Sequence, residues 1–418
     1  MSPPIEPRCT EELVAPNRHD VRAWSREAWS NATTVREWWR RLAEAGLSQP
    51  QWPAPHGLGW SSAEARVVIE ELAALGTIAP PEGGVAATLA APTLLAHGSP
   101  DQRDRYLPSI ARGLESWCQL FSEPGAGSDL PSLATRAVRD RHGWVVTGQK
   151  LWSSNAHLAR RGLLLARTLH PTSGRTGISY FVLDMGQPGV EVRPIKQMDG
   201  ISRFCEVFLD GARVPGGDLI GELHRGWEVA RTTLAYERAN AAGRSARGLT
   251  FVPSGEIAGF LDRRVKEVIA AERHRAGTFT GRAVPARRLA QLARDRGCAD
   301  DPEIRERIGG YLILTEVNRF GQRPRPSPHP SITKLLVSRI CHTSREVSYA
   351  VLGAAGMLDG IDAPFGGDLQ RVGLGSFGVS IGGGTDEIQR NHLAEQVLGL
   401  PRAGGVPETV VHPGVRDG

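Results

Sequence analysis

Between residues 116 and 222 seven short strand-like runs follow one another, while the chain on either side carries a helical period. This order constrains the fold more than any single motif, because bunched strands do not build the alternating β-α units of a parallel α/β sheet. The runs start near Ser116, Leu133, Gly143, Leu163, Ile178, Val190 and Cys205. Turn residues such as Asp140–Gly143, Pro171–Gly174 and Pro188-Gly189 separate them. They predict a compact β domain, a sandwich or barrel. Upstream, Val35, Trp38, Trp39, Leu42 and Ala45 keep helical spacing and Gly46 stops the run. Ser61–Glu64 and Ser99–Gln102 read as capping boxes that open two further helices. Downstream, the stretches 226–243, 261–277, 304–321, 331–356 and 384–399 look helical, whereas 276–302 is rich in Arg, Ala and Gly without a clear period.

The expected class is α+β. An N-terminal all-α domain spans 21–115, a middle β domain 116–222 and a C-terminal helical bundle 223–402, between flexible ends at 1–20 and 403–418. No internal repeat is visible.

Charge narrows the partners. The 50 Lys+Arg against 45 Asp+Glu leave a net +5, and the two signs are interspersed. A nucleic-acid binder would show a basic stripe interleaved with aromatics, so an anionic small molecule is the better expectation. The five cysteines, Cys9, Cys118, Cys205, Cys298 and Cys341, are scattered and form no CxxC. That excludes a disulfide framework and a zinc site, and His97, His157 and His392 have no metal-ligand spacing either, so no metal is expected. No stretch approaches the ~18 apolar residues of a membrane span, and the N-terminus has no apolar leader core. A cytoplasmic enzyme away from the membrane is the expectation.

Three segments carry chemistry. The first, Phe121-Ser122-Glu123-Pro124-Gly125-Ala126-Gly127-Ser128-Asp129, offers glycine backbone for close approach to a phosphate or flavin ring and two serine hydroxyls as donors. The second is Gly148-Gln149-Lys150-Leu151-Trp152-Ser153-Ser154-Asn155, and the third Gly382-Gly383-Gly384-Thr385-Asp386-Glu387. Singly each has a bland reading: a surface turn, a core tryptophan, a helix start.

Together and in this order they resemble the acyl-CoA dehydrogenase family, over about 21–402 of the chain. The resemblance implies an N-terminal helical domain, a middle β domain and a C-terminal four-helix bundle, assembled as a homodimer, a homotetramer or a hetero-oligomer with a related subunit. It also implies FAD. The family's flavin contacts fall on Phe121, Ser122, Gly127 and Ser128 in the first segment, on Trp152 and Ser154 in the second, and on Thr385 and Glu387 in the third. The implied reaction removes two hydrogens across the Cα–Cβ bond of an acyl thioester, carried by CoA or an acyl carrier protein, with an electron-transfer flavoprotein as acceptor.

Such chemistry needs a base, normally a carboxylate whose pKa burial has raised. Most of the family places a Glu just before the Gly-Thr of the third segment, where this chain has Gly383. A second family position, that of isovaleryl-CoA dehydrogenase, puts the Glu on a bundle helix directly before an Arg, and Glu237-Arg238 matches it. Without that context the pair reads as an exposed charged pair. With it, Glu237 is expected as the base and Arg238 as a substrate-orienting group, with Ser128 and Gly383 lining the substrate. The glycines at 382–384 also make room for a branched or cyclic acyl group.

Two family segments are changed. The Arg-x-x-Phe-Gly stretch is not recognisable between 265 and 300, and Ala350–Gly356 lacks the usual Gln. Two other functions therefore stay open: a flavin-dependent monooxygenase or oxidase on the same fold, or a non-catalytic subunit that completes a partner's site.

Overall fold

The computed structural model describes residues 18–30, 32–81, 84–169, 174–241, 254–255, 259–275, 283–321 and 329–401. The ends expected to be flexible lie outside these for 1–17 and 403–418, as does Cys9. The chain divides into two compact units, Met1–Thr278 and Phe279–Gly418.

The first unit opens with helices α1 (Arg18–Ala28), α2 (Val35–Glu44), α3 (Ser62–Ala74), α4 (Ala91–His97, entered through a π turn at Ala86–Ala90) and α5 (Pro100–Ala111). Both expected capping boxes form: Ser61 and Glu64 cap α3, and Ser99 and Gln102 cap α5. The helical spacing read in α2 is its buried face, Val35, Trp38, Trp39 and Leu42.

Eight strands follow: β1 (Trp117–Leu120), β2 (Arg136–Asp140), β3 (Gly143–Ser154), β4 (Arg161–Arg167), β5 (Ile178–Asp184), β6 (Val190–Ile195), β7 (Phe204–Pro215) and the short β8 (Leu219–Ile220). All seven expected runs are strands. They form one mixed sheet in the order β6-β7-β3-β2-β4-β5-β8, with β1 pairing in parallel with β4. Strands β4 and β5 are buried on both faces, which explains their unbroken apolar sequences. Leu164, Ala166, Phe181 and Leu183 join a core that the sheet encloses with Val146, Val207 and Leu209. Leu163, Leu165, Tyr180 and Val182 turn the other way, onto Leu94 of α4, Leu107 of α5 and Phe121.

Helix α6 (Gly226–Ala241) packs on β5 and α4, burying Val229, Ala230 and Thr233. Helix α7 (Val265–Arg275) adds Val265 and Val268 to the core of α2 and α3.

The second unit holds α8 (Ala286–Asp295), α9 (Pro302–Gly321), α10 (Pro330–Leu352), α11 (Asp368–Gly375) and α12 (Asp386–His392). Helix α8 lies in the Arg-rich stretch where no period was apparent. Its buried positions Ala286, Leu289, Leu292 and Ala293 do keep helical spacing, but arginines at 287, 288 and 294 mask it. Helices, then a mixed sheet, then helices is the expected α+β architecture. Among the described residues no helix is long and apolar enough to cross a membrane, and no three His, Cys, Asp or Glu could share a metal ion.

Candidate active site

The first unit brings two of the three sequence segments and Glu237 together. Strand β1 runs directly into Phe121–Asp129, and the loop folds back on itself through paired bonds between the backbones of Glu123 and Ala126. A buried ion pair ties it to the second segment. Lys150 Nζ lies 2.8 Å from Glu123 Oε1 and 3.1 Å from the Phe121 carbonyl, with the lysine fully buried. Glu123 also accepts from the backbone N–H groups of Ala134 (2.6 Å) and Thr135 (3.0 Å). Burial works to raise the Glu123 pKa, but Lys150 and these bonds outweigh it and hold the carboxyl low. Burial draws the Lys150 ammonium down to about 8 against the opposing pull of Glu123. The sequence reading quoted both residues within their segments and gave neither a role. A lysine in the middle of a strand and a glutamate in the loop after β1 were the available signal.

The Leu151 N–H bonds the Ser122 carbonyl at 2.9 Å, so the two segments are also joined through backbone. Gly148 sits where no side chain fits. A Cβ there would fall 2.4 Å from Thr135 Oγ1 and 2.7 Å from Thr135 Cα. Gly148→Ala therefore forces the backbones apart, and we expect it to cost about 1–3 kcal/mol, read as a lower urea midpoint.

The pairing of β3 with β7 shifts register between Lys150 and Ser153, and this bulge re-aims Trp152. Trp152 has φ +60°, costly for a bulky residue, and its indole is 55% exposed, touching Phe204 edge-on. Ser154 is exposed as well, whereas Ser153 between them is buried. In the first segment Gly125, Gly127 and Ser128 are exposed, and Cβ atoms at the two glycines would meet nothing within 4 Å. Open glycine backbone beside a strained, exposed indole suits a flat, largely apolar cofactor with polar edges, which is what a flavin is. Phe121 is instead buried, edge-on to Tyr180 at 5.7 Å, and Ser122 is partly buried.

Glu237 lies on α6 and is partly buried. Its Oε2 accepts a 3.1 Å bond from Gln119 Nε2 of β1, two residues before Phe121. Burial raises the Glu237 pKa, and the Gln119 bond and the Arg238 charge only moderate it. One turn earlier on α6, Thr233 bonds Thr93 Oγ1 at 2.8 Å and the Tyr180 hydroxyl at 3.0 Å, which fixes the helix against β5 and α4. Arg238 is partly buried and makes no ion pair within reach among the described residues. Successive helical residues project about 100° apart, so the two charged groups face different directions.

The third segment belongs to the second unit. Thr385 caps α12, its hydroxyl accepting from the Ile388 N–H at 3.2 Å. Glu387 is exposed and pairs with Arg390 at 3.2 Å. Asp386, in the segment that reads from sequence as a helix start, is in a largely buried pair with Lys334 at 2.5 Å and accepts from Ser338 at 2.8 Å. Gly383 has φ +70°, a conformation that favours glycine, so its backbone as well as its composition disfavours a carboxylate there. Its carbonyl accepts from the buried Gln389 side chain at 2.8 Å.

Known proteins share this architecture. The acyl-CoA dehydrogenase N-terminal domain model matches residues 9–114 and the middle domain model residues 118–212. Acyl-CoA dehydrogenase IpdE1 of Mycobacterium tuberculosis is 37% identical over 377 residues, covering 88% of each chain. Acyl-CoA dehydrogenase FadE34 of the same organism is 38% identical over 365 residues, which are 86% of this chain; the chain spans only 46% of that protein's length. Cyclohexane-1-carbonyl-CoA dehydrogenase of Geobacter metallireducens is 40% identical over 307 residues, 73% of this chain and 74% of that one. Among solved structures, the Tcur3481-Tcur3483 steroid ACAD superposes with a TM-score of 0.66 at 24% identity, covering 92% of this chain and 97% of that one. The chain belongs to the acyl-CoA dehydrogenase family, flavoprotein oxidoreductases that act on CH–CH groups.

Proposed function

We propose that the protein dehydrogenates an acyl-CoA thioester between Cα and Cβ, with Glu237 as the base that removes the α-proton. The observation that carries the reading is a partly buried glutamate with a raised pKa, joined through one hydrogen bond to the strand that enters the glycine-rich loop. A carboxyl whose pKa burial has raised is better matched to a proton that is only weakly acidic. FAD, when bound, accepts the hydrogen lost from Cβ. Phe121, Ser122, Gly127, Ser128, Trp152 and Ser154 would hold its flavin part. Arg238 would orient the thioester and Ser128 would line it.

The acyl group we propose is cyclic or branched. A relative named for cyclohexane-1-carbonyl-CoA supports this. The carrier is CoA in this reading, an electron-transfer flavoprotein the acceptor, and an oligomer of this chain or of it with a related subunit the working form.

Turnover with an artificial electron acceptor tests the assignment. Cyclohexane-1-carbonyl-CoA is expected to exceed a straight-chain thioester of equal carbon number by at least about tenfold in kcat/KM, the scale on which pocket shape discriminates. The product is the thioester lighter by two hydrogens. A straight-chain preference would contradict the proposed acyl class.

A further inference from the structure

We propose that Gln119 is the positioning residue for Glu237: its side-chain amide pins one carboxylate oxygen and leaves the other to take the substrate proton. The inference rests on Glu237 being the base. It starts from a break in pattern. On β1, Cys118 and Leu120 face the core enclosed by the sheet, and Trp117 faces the helices, as Phe121 does just beyond the strand. Gln119 lies between Trp117 and Phe121 on that helix-facing side, among Leu163, Leu165 and Tyr180, where alternation calls for an apolar residue. A polar group in such a place needs a partner, and Glu237 Oε2 at 3.1 Å is the one it has. Local rules are most often broken at functional sites.

The geometry divides the two oxygens. Oε2 accepts from Gln119, while Oε1 has no hydrogen bond among the described residues. An amide N–H donating to a carboxylate favours the ionised form and so opposes the effect of burial. Gln119 thereby keeps a buried glutamate ionised, the form that can take a proton, and fixes which oxygen acts. During proton transfer the α C–H bond breaks and an O–H bond forms at Oε1; the C–H electron pair stays on the acyl group and becomes the Cα–Cβ double bond as the Cβ hydrogen leaves with its own pair for the flavin, and the Gln119 bond is retained at Oε2. The titratable groups whose charge acts on this carboxyl or feels it are Arg238 on α6 itself and Tyr180 on β5. His97 of α4 lies further along α6, bonded to Thr232 at 2.7 Å. Phe121, at the entrance to the glycine-rich loop, follows two residues after Gln119.

The test uses the flavin-loaded protein, with Gln119→Met as a near-isosteric loss of the donor and Gln119→Glu as its opposite in charge. The infrared carboxylic-acid band that Glu237→Gln removes is followed against pH without substrate. In Gln119→Met its midpoint is expected to rise by about one pH unit, and the acid limb of kcat/KM to rise with it. At pH 7, kcat is expected to fall roughly tenfold while KM stays within about twofold. Gln119→Glu moves the midpoint further in the same direction, because a second carboxyl disfavours ionisation of the first. Melting temperatures near that of the wild type establish that each variant is folded. Loss of turnover in Glu237→Gln, with unmoved midpoints in both folded Gln119 variants, overturns the positioning role alone. Full turnover in Glu237→Gln overturns the base assignment and this inference with it.

Discussion

Replacing Glu237 by Gln is expected to lower the dehydrogenation rate by about 10²–10⁴-fold while leaving flavin content unchanged. Glutamine keeps the shape of the side chain, and its carbonyl can still accept from Gln119 Nε2, so the surroundings of α6 are preserved. It cannot take a proton. The same variant should change stability in a direction fixed by the pKa. Burial raises the folded-state value of Glu237 above that of the unfolded chain. Its contribution is therefore most favourable below the ordinary carboxyl range, about pH 4.3, and is lost as pH rises through the folded value. Above that point the ionised buried carboxylate is a cost that glutamine lacks. Melting curves of the two proteins should diverge with rising pH in favour of Glu237→Gln. A variant uniformly less stable at every pH would mean that the carboxylate is well compensated and not poised as a base.

Lys150→Met should be the most damaging single change to stability in the middle of the chain. Lys150 is fully buried, and Glu123 opposite it is nearly so. Removing the cation leaves a buried carboxylate without its ion-pair partner, still bonded by the Ala134 and Thr135 N–H groups, a loss of about 3–5 kcal/mol. Because the Lys150 ammonium also bonds the Phe121 carbonyl, the glycine-rich loop keeps only its Leu151–Ser122 backbone bond to β3 among the bonds described above. The expected result is a fall of roughly 10 °C in melting temperature together with reduced flavin retention on gel filtration. The double variant Glu123→Gln/Lys150→Met should recover part of the stability, since no charge is then left buried and unpaired. Equal losses in the single and double variants would show that the lysine acts through packing alone.

The elements that the sequence displays plainly are those whose burial is local. The spacing of Val35, Trp38, Trp39 and Leu42 is the buried face of α2, and the paired capping residues at 61–64 and 99–102 are helix starts. The seven strand runs are visible because turn residues bound each of them. Helix α8 escapes because its arginines dilute an apolar face only four residues wide. Strand β8 is two residues long, too short to carry any period.

At the site, the segments were legible and their joints were not. Nothing local says that Lys150 reaches back across 27 residues to Glu123, or that a register shift against β7 turns Trp152 outward. Both depend on which strands pair, and that is decided by the whole sheet. Gln119 did leave a local trace, a polar residue within an alternating apolar strand, but its meaning required the helix that carries Glu237 to be placed opposite. Asp386 shows the reverse: the first-turn position on α12 is correct, yet a buried lysine on α10 is its main partner.

The central claim is that Glu237 starts the removal of hydrogen from an acyl thioester. Anaerobic titration of the flavin-loaded protein with cyclohexane-1-carbonyl-CoA tests it most directly, with wild type and Glu237→Gln measured side by side. The account predicts that the oxidised-flavin absorbance band bleaches in the wild type within the mixing and recording time and persists in the variant. Equal bleaching in both proteins would contradict it.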